Sequence, residues 1–325
     1  MKSTQSKVFL SIAVAVFLLF FLLRNIPFET IRENIVRIKI IYLYSAFAAY
    51  FFANAARSVR FYFLLDGALR PKTIFSITLI HNFLVNLLPF RTGELSYIYL
   101  AGRAVPAGLP QGVGSLLISR LFDILIIANL LLVSLAFVSK SVLPETVSGA
   151  ILLFAIFTVF ASCIFIFFAS FLFRLLSRAL SSVSEFFFRS AFSGENVLAV
   201  GEAFMKARRS NYFLKIFAAS CCIWFFNFLV GLFLFRALAF DFTFFETVLI
   251  FSFPMIVSVV SPIQSFANLG LYEWSLVGGF SMFGVEHASA SAVSVVIHGI
   301  EIVFALVFGV MGALIYYAGI RKKSA

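Results

Sequence analysis

The chain has 325 residues, of which 62% are hydrophobic and only 12% are charged. A soluble globular domain does not have this balance, so the composition indicates a polytopic membrane protein. The formal net charge of +11 would suggest a nucleic-acid partner in a soluble protein. Here the basic residues fall in short connections between apolar runs, which is the pattern that sets membrane topology, and we expect no nucleic-acid partner.

The motifs of several enzyme classes are absent. The sequence contains no Walker-type glycine loop, no H-E-x-x-H and no Asp-x-Asp run, so we expect neither ATP-driven pumping nor an enzyme. Cys163, Cys221 and Cys222 lie inside apolar runs. This placement predicts packing residues rather than a disulfide or a zinc site. We expect no cofactor and no metal.

Apolar runs in the first half predict three spans and one interrupted hairpin. In chain order they are a first span at 8–23, an interfacial helix at 29–39, a second span at 40–65, a short arm at 74–88, its return at 95–101 and a third span at 113–138. The short arm has about fifteen residues before Pro89, whereas a full crossing needs about twenty. We therefore interpret it as the descending arm of a re-entrant hairpin.

The second half repeats this order. Its elements are a span at 151–173, a basic amphipathic connection at 174–215, a span at 212–235, a descending arm at 244–260, its return at 269–280 and a last span at 288–317. Gly278, Gly279, Gly309 and Gly312 are predicted close-packing positions between helices.

The two hairpins carry the same kind of interruption. The stretches NLLPFRTGELSYIYLAG (86–102) and SPIQSFANLGLYEWSLVGG (261–279) each contain a proline, a polar turn, a glycine and a glutamate. The predicted hairpin breaks are Pro89, Gly93, Pro262 and Gly270. Lipid offers no hydrogen bonds, so a broken backbone must be buried in protein or face a wet cavity.

The two halves also correspond at single residues. Arg120 and Asp123 match His298 and Glu301, in each case a basic residue and an acid three positions apart. This predicts an internal duplication, with a first repeat at 1–139 and a second at 140–325 within one integral membrane domain. Three full crossings per half would invert the second repeat. The predicted fold is an all-α polytopic membrane protein with two inverted repeats, about six full transmembrane helices and two re-entrant broken-helix hairpins, with both termini cytoplasmic.

A hairpin that breaks inside the membrane starts a new helix there, and the free N–H groups of that helix attract an anion. Thr92 and Asn268 are the predicted N-caps of these half-helices. The predicted substrate-binding residues are Arg91, Thr92, Glu94, Arg120, Asp123, Asn268, Glu273, His298 and Glu301. The alternative stays open that Arg120 with Asp123, or Arg91 with Glu94, are ion pairs that fix helix packing. His298 is open in the same way, as a core residue or a ligand.

Three motifs carry a family resemblance. They are an N-x-x-P-x-R-x-G-E segment (Asn86, Pro89, Arg91, Gly93, Glu94), an R-x-x-D pair (Arg120, Asp123) and a late P-x(n)-G-x-x-E segment (Pro262, Gly270, Glu273). The chain resembles the transmembrane region of lysylphosphatidylglycerol synthases, a flippase-like domain family.

The resemblance implies a function in lipid movement. In bifunctional members this region moves aminoacylated phosphatidylglycerol between leaflets, while a separate soluble domain performs the aminoacylation. Because this chain ends at Ala325, we expect the synthase part to be missing. The expected function is a flippase-like transporter of an anionic phospholipid or lipid-linked head group in a prokaryotic inner membrane. Its expected partners are membrane phospholipid and a separate lipid-modifying enzyme.

Two other functions stay open at this stage. One is a membrane-embedded lipid-modifying enzyme such as a head-group transferase. The other is a non-catalytic membrane partner of a lipid or envelope biosynthetic enzyme.

Overall fold

A computed structural model describes residues 2–24, 28–89, 92–105, 108–138, 212–260 and 265–324, with isolated positions between 149 and 164. The regular structure of this part of the chain is entirely helical. In chain order the helices are α1 (Lys2–Leu23), α2 (Phe28–Val36), α3 (Ile40–Leu64), α4 (Pro71–Leu87), α5 (Glu94–Ala104), α6 (Gly108–Phe137), α7 (Tyr212–Ala237), α8 (Phe244–Val260), α9 (Leu271–Ser281) and α10 (His287–Ser324), with a 3₁₀ turn at Phe266–Asn268 before α9.

The predicted elements correspond closely to these helices. The descending arm predicted at 244–260 has the bounds of α8, and the second span predicted at 40–65 ends one residue beyond α3. The span predicted at 151–173 and most of the connection at 174–215 lie outside the continuously described residues.

Three described helical segments are long and apolar enough to cross a membrane: Gln111–Phe137, Tyr212–Ala237 and His287–Gly319. A fourth candidate is the pair Glu29–Val36 and Ile40–Leu64, which is bent by 83°. Large apolar side chains on these helices are exposed, among them Phe137 and Leu214. The described part of the chain therefore contains three to four of the six spans that the sequence predicts.

Helices α3 and α7 pack side by side and run antiparallel. At one end Lys39 donates its backbone N–H to the carbonyl of Ala237 at 3.0 Å. At the other end the rings of Phe63 and Tyr212 lie 5.2 Å apart.

Close contact with α4 depends on two glycines of α10. A Cβ added at Gly312 would lie 2.7 Å from Leu79 Cβ, and one at Gly309 would lie 2.5 Å from the Phe83 ring. Gly279 approaches the carbonyl of Ile250 in the same way. The close-packing prediction is confirmed for these three glycines. It is wrong for Gly278, whose added Cβ would make only an ordinary contact.

The first hairpin, α4 and α5, opens at the end of the bundle where α3 ends. One apolar cluster contains Leu65, which follows α3, together with Ile74 from the first turn of α4 and Val105, which follows α5. Gln111, near the start of α6, donates to the carbonyl of Leu65 at 3.4 Å. The chain therefore enters and leaves this hairpin at the same end, and α6 begins there.

The second hairpin, α8 and α9, opens at the opposite end. Phe245 in the first turn of α8 stacks on Phe137 at the end of α6, with ring centroids 4.4 Å apart. Phe242, just before α8, contacts the rings of Phe280 and Phe283 at the end of α9. The two hairpins thus approach the centre of the bundle from opposite ends.

Candidate functional site

The first break follows α4. Leu88 leaves the helix with an extended backbone and Pro89 comes next, while Arg91 lies outside the described residues. The N-cap of α5 is Gly93, so the prediction of Thr92 as N-cap is wrong. Thr92 is exposed, and its hydroxyl donates instead to the carbonyl of Pro89 at 2.8 Å. This bond closes the turn, so the hydroxyl does not serve the free N–H groups of α5.

Gly93 packs directly on the backbone of α4. A Cβ at this position would lie 2.5 Å from the Cα of Val85 and would overlap the carbonyl of Leu84. Only glycine fits this contact between the break and the preceding arm.

The second break is held in a left-handed conformation. Ala267, Asn268 and Gly270 have φ values of 49°, 56° and 84°. Gly270 is the N-cap of α9, and its N–H donates to the Glu273 carboxylate at 2.6 Å. The prediction of Asn268 as N-cap is therefore wrong, because Asn268 lies two residues before that position. The prediction of Pro262 as part of the break falls outside the described residues.

A charged network joins four helices, α3, α5, α6 and α7, beside the first break. Arg60 of α3 donates to Asp123 of α6 at 2.5 Å, and Trp224 of α7 donates to the same carboxylate at 2.9 Å. Arg120 donates to Glu94 at 2.8 Å and lies 3.6 Å from Asp123. Among the two interpretations left open by the sequence, this geometry supports an ion pair that fixes packing for Arg120 and Asp123.

Arg60 has a different place from the one the sequence indicates. Basic residues at the end of the second span are typical of a membrane surface, yet the Arg60 side chain is only 2% exposed. It is buried because Asp123 neutralises its charge and Ser220 accepts a further bond at 3.3 Å.

A smaller network occupies the equivalent place beside the second break. Glu273 of α9 pairs with His298 of α10 at 2.7 Å, as Glu94 pairs with Arg120. Tyr272 donates to Glu301 at 2.6 Å and stacks on the His298 ring at 4.2 Å. Glu273 therefore accepts from both the break and α10, which gives it a structural role.

A cavity of about 180 Å³ lies between the two hairpins and is lined from both halves of the chain. Its walls are Tyr50, Arg57, Asn82, Asn86, Trp224, Asn227, Val230, Phe251, Pro254, Met255, Asn268, Tyr272, His298, Glu301 and Ile302. Three predicted site residues belong to this wall, namely Asn268, His298 and Glu301. Glu94, Arg120, Asp123 and Glu273 are not part of this wall. Their side chains bond to other residues within the two networks described above.

The guanidinium of Arg57 is the strongest anion-binding group of this wall. It donates to Asn54 at 3.1 Å, and no carboxylate of the described residues lies within salt-bridge distance of it. A charged donor without a counter-ion inside a membrane protein implies hydration or a ligand.

A comparison with protein families adds an independent observation. The family model described as "Lysylphosphatidylglycerol synthase TM region" matches residues 8–309. The chain belongs to this family. No curated protein and no solved structure matches the chain.

The family match confirms the resemblance carried by the sequence motifs. Membership in the lysylphosphatidylglycerol synthase TM region, together with the long apolar helices, makes the chain an integral membrane protein. The matched range includes both breaks, both networks and the whole cavity wall.

Sequence reasoning missed several cavity residues of this lysylphosphatidylglycerol synthase TM region. Arg57 is one of the basic residues whose position indicates only topology, Asn86 belongs to the family motif without a predicted binding role, and Asn82 and Asn227 belong to no motif. A usable signal exists, because Asn82 and Asn86 share one helical face at i and i+4 inside an apolar arm. In the described part of the chain no group of three or more His, Cys, Asp or Glu side chains is arranged to hold a metal ion.

Proposed function

We propose that this protein moves an anionic phospholipid, or a lipid-linked anionic head group, between the two leaflets of a membrane. The observation that carries the proposal is Arg57, which faces a cavity between the two hairpins without a carboxylate partner among the described residues. A phosphate is the anion that a lipid brings into such a site. Arg matches phosphate well because its planar group donates two parallel hydrogen bonds.

The remaining wall suits a phosphate head group. Asn227 and Asn268 offer amide donors around the same space, and Tyr50, whose hydroxyl accepts from Asn82 at 2.7 Å, adds a hydroxyl donor. The acyl chains stay in lipid, where the exposed apolar faces of the helices lie. Only the head group therefore needs a polar path across the membrane. The proposed step is movement alone, and no covalent bond is made or broken. A separate lipid-modifying enzyme as partner stays a prediction.

We also propose that the cavity lies at the interface of two inverted repeats, 1–139 and 140–325. The descending arms α4 and α8 both have 17 residues, and the returns α5 and α9 both have 11. Equivalent helices α3 and α7 run antiparallel, and the hairpins open at opposite ends. In transporters built from inverted repeats, the substrate site lies at the repeat interface near the midplane, and rocking of the repeats opens it alternately to each side.

The proposed setting is a prokaryotic inner membrane with both termini in the cytoplasm. The support is the positive-inside rule, since Arg70, Lys72 and the terminal Arg321, Lys322 and Lys323 would then face the same side.

The test is movement of NBD-labelled phosphatidylglycerol in proteoliposomes, followed by dithionite quenching of the outer leaflet. Arg57→Gln is expected to slow the movement about tenfold or more, because a hydrogen bond to a charged group contributes about 1.5–3 kcal/mol. Arg57→Lys keeps the charge and is expected to retain part of the rate. Arg103→Gln is the matched control, because Arg103 is exposed and lies over the Tyr99 ring outside the cavity.

Two results would contradict the proposal. One is wild-type protein that moves the lipid no faster than empty vesicles do. The other is an Arg57→Gln variant that is as fast as Arg103→Gln. Mass spectrometry of the recovered lipids tests the alternative that the protein is a lipid-modifying enzyme. A new head group formed by the purified protein would indicate a transferase.

A further inference from the structure

The two equivalent acids of the halves differ in their partners. Asp123 is bonded by Arg60 and Trp224 and has Arg120 at 3.6 Å. Glu301 accepts a bond from the Tyr272 hydroxyl, and no basic side chain of the described residues lies within salt-bridge distance of it. Glu301 also lines the cavity, whereas Asp123 does not belong to its wall.

We propose that Glu301 binds a proton and that this proton is the co-substrate that couples lipid movement to a pH gradient. The inference rests on the proposed lipid transport and names the ion that drives it. The geometry behind it is a cavity whose described wall holds one guanidinium without a salt-bridge partner, Arg57, and one carboxylate, Glu301.

Charge balance in the cavity provides the coupling. Glu301 is the carboxylate on the described part of the cavity wall that Arg57 also lines. A lipid phosphate that pairs with Arg57 brings a second negative charge into the same small space, which raises the cost of keeping Glu301 ionised. Lipid binding therefore favours uptake of a proton by Glu301, and by linkage a bound proton favours lipid binding.

The groups around Glu301 permit this protonation. From α9 it faces Tyr272, and on its own helix α10 it lies near His298, whose ring is engaged by Glu273. Helix α3 contributes Arg57 and Tyr50, while α4 and α7 contribute amides and an indole to the wall. The Tyr272 hydroxyl can keep donating to one oxygen of Glu301 when the other oxygen carries the proton. The proton comes from water on the side where the lipid enters and returns to water on the other side.

Asp123, the equivalent acid of the first half, is not free to take up a proton. Arg60 is a permanent cation and is almost fully buried against Asp123. Loss of the negative charge at Asp123 would leave Arg60 buried without a counter-ion. The first half thus contributes a fixed ion-pair network, and the second half contributes a carboxyl group that can bind and release a proton.

The experiment uses the full chain in proteoliposomes that contain the pH dye pyranine. NBD-phosphatidylglycerol movement and internal pH are recorded with an acidic exterior, with an acidic interior and without a gradient. Wild-type protein is expected to move lipid faster from the acidic side and to acidify the other side as lipid crosses. Glu301→Gln is expected to exchange lipid at a lower rate that no longer depends on the gradient, and to move no protons. Glu286→Gln is the control, since Glu286 is exposed and outside the cavity.

The outcomes separate the two proposals. Lipid movement that is independent of the gradient, with no proton flux in wild-type protein, overturns the coupling and leaves lipid transport standing. Coupling that survives in Glu301→Gln, or a folded Glu301→Gln that exchanges no lipid, overturns the assignment to this residue. Absence of lipid movement in wild-type protein removes both proposals. The wild-type proton measurement needs no variant, so it decides the coupling even if Glu301→Gln does not fold.

Discussion

Arg60 donates to Asp123 at 2.5 Å although the two residues are 63 positions apart in the chain. Their side chains are 2% and 9% exposed, so the pair is buried from both solvent and lipid. Because Trp224 donates to the same carboxylate, this one acid ties together α3, α6 and α7. The contact places a fixed salt bridge beside the cavity and holds the helix that carries Arg57.

Asp123→Asn is expected to destabilise the protein strongly. The substitution leaves the Arg60 guanidinium buried without a counter-ion, and Arg60 Nε already has no partner among the described residues. Breaking a buried ion pair from one side costs about 3–5 kcal/mol. The measurement is thermal unfolding in detergent, followed by tryptophan fluorescence. The fluorescence of Trp224 reports on the substituted site itself, because the indole N–H loses its charged acceptor at residue 123.

Asp241→Asn is the matched control for this prediction. Asp241 also pairs with an arginine, Arg236, but its side chain is 81% exposed. An exposed pair contributes only about 0–1 kcal/mol. Equal melting temperatures for Asp123→Asn and Asp241→Asn would show that the buried network does not hold the three helices together.

Gly93→Ala is expected to lower stability because the first break has no room for a methyl group against Leu84 and Val85. Overpacking of this kind costs about 1–3 kcal/mol. Gly299→Ala provides the comparison, since no atom of the described residues lies within 4 Å of its added Cβ and it lies in α10. That change is expected to be neutral or to stabilise by up to about 1 kcal/mol through helix propensity. A melting curve in which Gly93→Ala matches Gly299→Ala would contradict the contact between break and arm.

The helices could be predicted well because few alternatives exist for apolar sequence in lipid. A proline followed by a polar turn and a glycine marks a break, as at Pro89, whereas the isolated Pro254 lies inside α8. The caps were harder to predict. The N-cap rule expects a polar residue with extended backbone directly before the helix, whereas Asn268 has a φ of 56° and lies two residues too early. Gly270 replaces it because the Glu273 carboxylate satisfies the free N–H.

The candidate site could be predicted only in part because local spacing reveals local pairs. Arg120 and Asp123, three residues apart, were recognised as a pair, but their charged groups are 3.6 Å apart. The shorter bond to Asp123 comes from Arg60, which the sequence placed among surface cations. A basic residue near a helix end has the same pattern whether it faces water or a buried acid. Only the packing of α3 on α6 distinguishes the two.

Glu273→Ala is expected to loosen the second break. It removes the acceptor of the Gly270 N–H and the partner of His298, and the Glu273 side chain is only 1% exposed. A buried donor left without a partner costs about 1–3 kcal/mol. Hydrogen exchange over residues 266–274 should become faster, and the melting temperature should fall. Glu94→Ala is the matched variant with a smaller expected effect, because Glu94 is 23% exposed. Faster exchange at 266–274 in Glu94→Ala than in Glu273→Ala would contradict this assignment.

Cysteine labelling tests whether the two hairpins open on opposite faces of the membrane. Ala68 lies between α3 and α4, where the first hairpin opens, and Glu286 lies between α9 and α10, where the second opens; both are exposed. In a background without Cys163, Cys221 and Cys222, a membrane-impermeant maleimide is expected to label Ala68→Cys from one face of sealed oriented vesicles and Glu286→Cys only from the other. A permeant maleimide should label both and serves as the control. Labelling of both cysteines from one face would mean that an arm crosses completely, and the cavity would then lack the two opposed entrances that alternate access requires.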